Sequence, residues 1–207
     1  MSETRSILVA EVIGEAPLLN KIGVTETERA VERCRNRAER SIESNEGDTD
    51  QTEGRCLVAH FKRCENAILA AFDMQSRVSQ LPPVSGVSLS VRIAVHSAAS
   101  NLAGTPDAQA IEIAKAIAGD APDSQILISA EALANLPDSL QPHIDTSAAR
   151  SVSGYKLPVY PFKSGTSLAP LREAFSPTAT SLALQSMLSD LGPLSQPPVV
   201  VASSVTP

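Results

Sequence analysis

No Gly-rich loop with the spacing that wraps nucleotide phosphates occurs in this sequence, which removes the common phosphate-loop and dinucleotide-binding folds from consideration. Cysteine is scarce. Cys34, Cys56 and Cys64 are odd in number and include no Cys-x-x-Cys pair or matching histidine spacing, so a structural zinc site is excluded and the three read as buried free thiols. Long apolar runs are missing too: the opening stretch MSETRSILVAEV is far shorter than a signal-peptide core or a membrane span. Unpaired thiols without an export signal point to the reducing cytoplasm. An excess of positive charge is also lacking. Lys and Arg total 17 against 23 Asp and Glu, a net charge of −6, which opposes binding to a nucleic-acid backbone. The densest basic cluster, Arg29, Arg33, Arg35, Arg37 and Arg40, is interleaved with Glu28, Glu32 and Glu39 and reads as a solvated helix face.

What is present is a foldable body. Hydrophobic residues make up 43% of the 207 residues and charged residues 19%, outside the composition of chains that stay unfolded. The strong patterning stops near Lys163, which divides the chain into one domain over 1–163 and a Ser-, Thr-, Ala- and Pro-rich tail over 164–207, read as mostly disordered. One island interrupts the tail. Over 180–191, Leu184, Met187, Leu188 and Leu191 share one helical face before Gly192-Pro193, a short helix suited to docking on a partner or on the domain itself.

Within the domain, residues 6–12 (SILVAEV) read as a buried strand ending at Gly14, followed by a helical turn over 16–22. Thr25 with Glu28 has the form of a capping box for a helix carrying Val31, Cys34, Ala38 and Ile42 on one face, ending before Asn45 and Gly47. The polar stretch 47–54 leading into 56–61 (CLVAHF) predicts a hairpin. A helix from Cys64 to Val78 is stopped by Leu81-Pro82-Pro83, and 88–95 (SLSVRIAV) alternates like a central strand. A helix over 108–118, a strand over 125–129, a short helix over 129–136 and runs around Ile144 and 157–162 complete the list. Hairpins mixed with helical crossovers predict an α+β fold, a mixed sheet flanked by helices.

Read in order, these stretches resemble the class III adenylate/guanylate cyclase homology domain. Residues 7–15 (ILVAEVIGE) are similar to that family's first strand, where a metal-binding Asp precedes a Gly turn. Residues 53–61 (EGRCLVAHF) resemble its Gly-Asp hairpin, 91–98 (VRIAVHSA) its Arg-x-Gly-Ile-His-x-Gly strand, 107–129 its next helix and strand, and 153–162 (SGYKLPVYPF) its closing hairpin. The resemblance implies a ferredoxin-like core, active sites formed between two protomers, and hence a homodimer or heterodimer. The competing assignment is a ferredoxin-like core of another family, the diguanylate cyclase type included.

The chemistry of that family is depleted here. Two metal ions held by two aspartates would require oxygen ligands at the first strand and the hairpin. The first position falls on Glu11, a carboxylate, and the second on Arg55, a cation that repels a metal. The purine-recognising Lys falls on Gln51, and Ala103, Gly104 and Thr105 stand near the expected purine Asp. The ribose Asn and transition-state Arg fall on Glu112 and Ala116, one repelling a triphosphate and the other offering no donor, with Lys115 reaching the second role only after a slip in register. Ala94 and Ala98 replace framing glycines. His60 and His96 read as strand histidines, and Glu112 with Lys115 as a surface pair.

These positions predict a non-catalytic cyclase-like module with a regulatory, dimerising or scaffolding role in signalling, using no cofactor, nucleic acid or membrane. Both halves of the family's shared site are depleted, which disfavours even a half-site role in a heterodimer. Two alternatives stand beside it. One is a divergent active cyclase making a cyclic nucleotide from ATP or GTP with Mg or Mn, its metal held by Glu11 and an unrecognised carboxylate such as Asp48, Asp50 or Glu53. The other is a nucleotide or small-ligand sensor without turnover.

Overall fold

The apolar run near the start of the chain becomes the middle of a seven-stranded sheet in the computed structural model, which describes residues 3–50, 54–100, 108–167, 169 and 172–173. Strand β1 (Thr4–Ile13) is flanked on both sides by antiparallel partners, β3 (Cys56–Phe61) and β4 (Ser90–Ala99). Two paired edges explain why Ile7, Leu8 and Val9 are all inaccessible: both faces as well as both edges are covered. The short β2 (Asp48–Thr49) pairs antiparallel with β3, giving the order β2-β3-β1-β4, which is the ferredoxin-like arrangement. Beyond β4 the sheet continues with β5 (Ile126–Ser129), parallel to it, and then β7 (Pro158–Pro161) and β6 (Arg150–Ser151). One parallel junction among antiparallel ones makes the sheet mixed, as the alternation of hairpins and crossovers predicted.

Helices cover both faces because successive strand residues point to opposite sides. Leu8, Ala10 and Val12 of β1 pack under α2 (Val24–Glu43) and α3 (Cys64–Ser79), around Cys34, Ile42, Ile68 and Met74. Ile7 and Val9 face the other way, with Ala94 and Leu127, onto Ala114 and Ile117 of α4 (Ala108–Asp120). Two shorter helices complete the layers, α1 (Glu15–Ile22) after β1 and α5 (Ala130–Ala134) after β5.

Two local expectations fail for physical reasons. The capping box at Thr25 and Glu28 does not form: α1 and α2 share Gly23 as the end of one and the cap of the other, so α2 starts at Val24 and Thr25 is already inside it. The Thr27 hydroxyl instead donates to the Gly23 carbonyl at 2.8 Å. Cys34 and Cys64 are buried free thiols with burial raising both to a pKa of about 11, whereas Cys56, at the open end of β3, is only half-buried.

No helix among the described residues is long and apolar enough to cross a membrane. The tail island with Leu184, Met187, Leu188 and Leu191 lies outside the described residues.

Candidate functional site

Strand register brings the two positions of the expected metal site together. Glu11 of β1 stands directly between Cys56 of β3 and Arg92 of β4. Arg55, one residue before β3, is fixed there because its carbonyl accepts the Val12 amide at 3.1 Å. The turn that ends β1 then returns a second carboxylate: Gly14 adopts φ 96°, a left-handed conformation natural to glycine, and a Cβ there would meet the Ser88 carbonyl oxygen at 3.0 Å. Glu15, next in the chain and the first residue of α1, comes back to Arg55.

These four side chains form one neutral ion cluster. Glu11 Oε1 lies 3.0 Å from Arg55 Nε, and its Oε2 accepts from Arg92 Nη2 at 2.6 Å and Nε at 2.8 Å. Arg55 Nη1 donates to Glu15 Oε1. Glu15 above all holds the Arg55 guanidinium above its already high range; burial pulls the other way, and Glu11 adds smaller support. The Glu11 side chain is only 16% exposed, so both of its oxygens are committed to guanidinium groups in a largely dehydrated place. A divalent cation does not fit this arrangement: it would have to displace two fixed positive groups to reach one carboxylate.

Of the other candidate carboxylates, Asp48 stands apart from Glu11. Asp48 stands opposite His60, 3.7 Å from its Nε2, and His60 stands opposite Ile7, four residues along β1 from Glu11. At a rise of about 3.3 Å per residue, that is about 13 Å away. The amide of Asp50 continues the hairpin by donating to the Val58 carbonyl at 2.8 Å, while Glu53 lies outside the described residues. Among the described residues no three His, Cys, Asp or Glu side chains gather as a metal would need.

The positions that the resemblance aligns with nucleotide contacts divide in two. Gln51, Ala103, Gly104 and Thr105 lie outside the described residues. Glu112 and Ala116 are on α4: Glu112 projects to solvent and pairs with Lys115 at 3.1 Å, and Ala116 packs on the apolar cluster of that face. Neither belongs to the ion cluster. Sequence reasoning gave no role to Glu15 or Arg92, although Arg92 is the arginine of the strand motif; alternation along β4 placed it on a face, but only the pairing register shows that its neighbour there is Glu11.

His96, also in that motif, is a joint within the fold. It is 5% exposed, its Nδ1 lies 2.9 Å from Ser129 Oγ, and Ser129 caps α5 by accepting the Ala132 amide at 3.2 Å. Burial lowers the pKa of the imidazole, and Glu131, 3.8 Å away, opposes that only in part. The unfolded chain therefore binds the His96 proton more readily than the folded one. Stability from this group is present above the ordinary histidine range and declines as pH falls from about 6.5 toward the lowered value, with a slope of up to about 1.4 kcal/mol per pH unit. Denaturant titrations across this range should show that slope in the native protein and a flatter one in His96→Gln.

A cleft of about 570 Å³ opens beside the ion cluster, lined by Glu15 and Arg55 together with Thr27, Val31 and Arg35 of α2. Arg35 Nη1 donates to the Gly54 carbonyl at 3.4 Å, and Arg35 Nε lies 3.7 Å from Glu39. The mixed arginine-glutamate face of α2 thus carries pairs such as this one and Arg29 with Glu26 at 2.6 Å.

Neither a protein-family model nor a curated protein sequence matches this chain. Solved structures do. The adenylyl cyclase CyaB from P. aeruginosa superposes with a TM-score of 0.62 at 13% identity, over 80% of this chain and 96% of that one. An adenylate cyclase from Trypanosoma brucei in its monomeric state gives 0.63 at 15%, over 77% and 88%. The guanylate cyclase domain of RhGC from Catenaria anguillulae, in complex with GTP, gives 0.62 at 12%, over 78% and 97%. This chain has the fold of the adenylyl and guanylyl cyclase domains.

Proposed function

We propose that the protein is a non-catalytic cyclase-fold module that serves signalling through protein association rather than turnover. The observation that supports this most is the commitment of both Glu11 oxygens to Arg55 and Arg92. A two-metal reaction needs anionic ligands that are free to accept cations, and here a guanidinium stands where the second ligand is expected. On α4 the positions aligned with the ribose and transition-state contacts carry a carboxylate and a methyl group, Glu112 and Ala116. The reading needs no cofactor and places the protein in the cytoplasm, associating as a homodimer or with a related partner through the cyclase-type face.

The test is incubation of the purified full chain with ATP or GTP and Mn²⁺, reading cyclic nucleotide by mass spectrometry beside a mock preparation and the Arg55→Asp variant. The native chain should yield no product above the mock. Product that disappears in Glu11→Ala would overturn the reading and establish a metal site built on Glu11.

A further inference from the structure

The chain leaves the domain along a trough that it helps to build. After β7, Thr166 and Ser167 line a depression of about 380 Å³ together with residues of α3. Its buried lining residues, the floor, are Phe72, Val78 and Val91, and its more exposed ones, the rim, are Gln75, Ser79 and Ser124. A neighbouring hollow of about 180 Å³ shares Phe72, Gln75 and Thr166 and adds Pro161, Phe162 and Lys163, with the Phe72 and Phe162 rings edge to face at 5.0 Å. Lys163 is the one charged residue among those lining the two hollows.

The outgoing chain is pinned to the same helix. Arg172 Nη2 lies 3.6 Å from Asp73 Oδ1, and Asp73 is the neighbour of Phe72 on α3. Its other oxygen accepts from Arg77 at 2.6 Å. The tail therefore starts beside the trough. From 174 to 207 the sequence contains one ionisable side chain, Asp190, a character that suits hollows whose lining carries the single charge of Lys163. The connection from 173 to 180 reaches at most about 25 Å, and a helix over 180–191 is about 18 Å long.

We propose that segment 180–191 folds back as an amphipathic helix onto the trough between α3, the start of β4 and the outgoing chain, with Leu184, Met187, Leu188 and Leu191 turned to its apolar floor. Ser181, Gln185 and Ser186 then meet the serine and glutamine rim or water, and Asp190 supplies the charge complementary to Lys163. Tethering favours this occupant, because a short linker holds the segment at an effective concentration of about millimolar, which a free partner seldom reaches.

The experiment places the photoreactive residue p-benzoylphenylalanine at Met187 in the full chain, irradiates a mixture of isotopically light and heavy protein, and maps crosslinked peptides by mass spectrometry. The expected result is crosslinking within one chain to 72–79 or 161–167, falling at least about tenfold when Leu184→Asp and Leu188→Asp are combined. Ser76→Trp, on the exposed side of α3 at the edge of the trough, should lose the crosslink with the melting temperature unchanged. Crosslinks joining light to heavy chains would assign the helix to a second copy and overturn the proposal. So would crosslinks elsewhere in the domain, none above a urea-unfolded control, or retention of the crosslink in Ser76→Trp.

Discussion

Gly47→Ala should lower the melting temperature by about 2–12 °C, and Gly47→Val should leave little folded protein. After α2 ends, the Gly47 amide returns to the Ile42 carbonyl at 3.0 Å, and the chain turns into β2 directly over Phe61. A Cβ at Gly47 would lie 2.5 Å from Phe61 Cζ and 2.7 Å from Ile42 Cγ2. Phe61 and Ile42 are among the largest fully buried side chains, so neither has space to retreat into. Overpacking of this kind costs about 1–3 kcal/mol for one methyl group and more for a branched side chain. The cause is space and not backbone conformation: the left-handed residue at this helix end is Glu46, with φ 61°, and Gly47 is not in that region. Thermal unfolding of the two variants, followed by circular dichroism, checks the order native, Ala, Val.

Glu11→Gln should destabilise the domain by about 1–3 kcal/mol, a larger effect than loss of an exposed ion pair. The glutamine keeps the shape but leaves the Arg92 and Arg55 guanidinium groups facing each other without the carboxylate between them. Combining it with Arg55→Gln should restore part of the loss, because residues of one ion cluster do not act additively. The same chemical-denaturation series distinguishes the two roles open to Glu11. If the carboxylate belongs to the ion cluster, millimolar Mn²⁺ leaves the native midpoint where it is; a resident metal would raise it, since a ligand that binds the folded state stabilises that state. A rise in Mn²⁺ that vanished in Glu11→Gln would contradict both the cluster and the non-catalytic reading.

The element order was legible because each stretch carried its own period. Residues 6–12, 56–61 and 88–95 fall within or largely overlap β1, β3 and β4, and the stripes Val31-Cys34-Ala38-Ile42 and Ala110-Ile113-Ala114-Ile117 face the cores that α2 and α4 bury. The helix caps were less legible: the first helical turn was expected to end at 22 and does, but Thr25 read as a cap only because the next helix was expected to start after it, whereas α2 begins at Val24. The site was half visible. Glu11 and Arg55 were singled out from family positions, and the structure sets them 3.0 Å apart, but Glu15 and Arg92 complete the cluster through a turn and a strand register.

The sequence by itself determined which segments are strands and helices, because hydrophobic period is a local property, and it determined the charge types at the positions that the resemblance aligns with metal ligands. The tertiary structure decided what those charges do. Pairing β1 with β3 on one side and β4 on the other is a long-range choice of register, and that register surrounds one carboxylate with two guanidinium groups, turning the expected cation site into a closed ion cluster. It likewise decided that Gly47 is held by the Phe61 ring, a contact across a hairpin that no local pattern encodes.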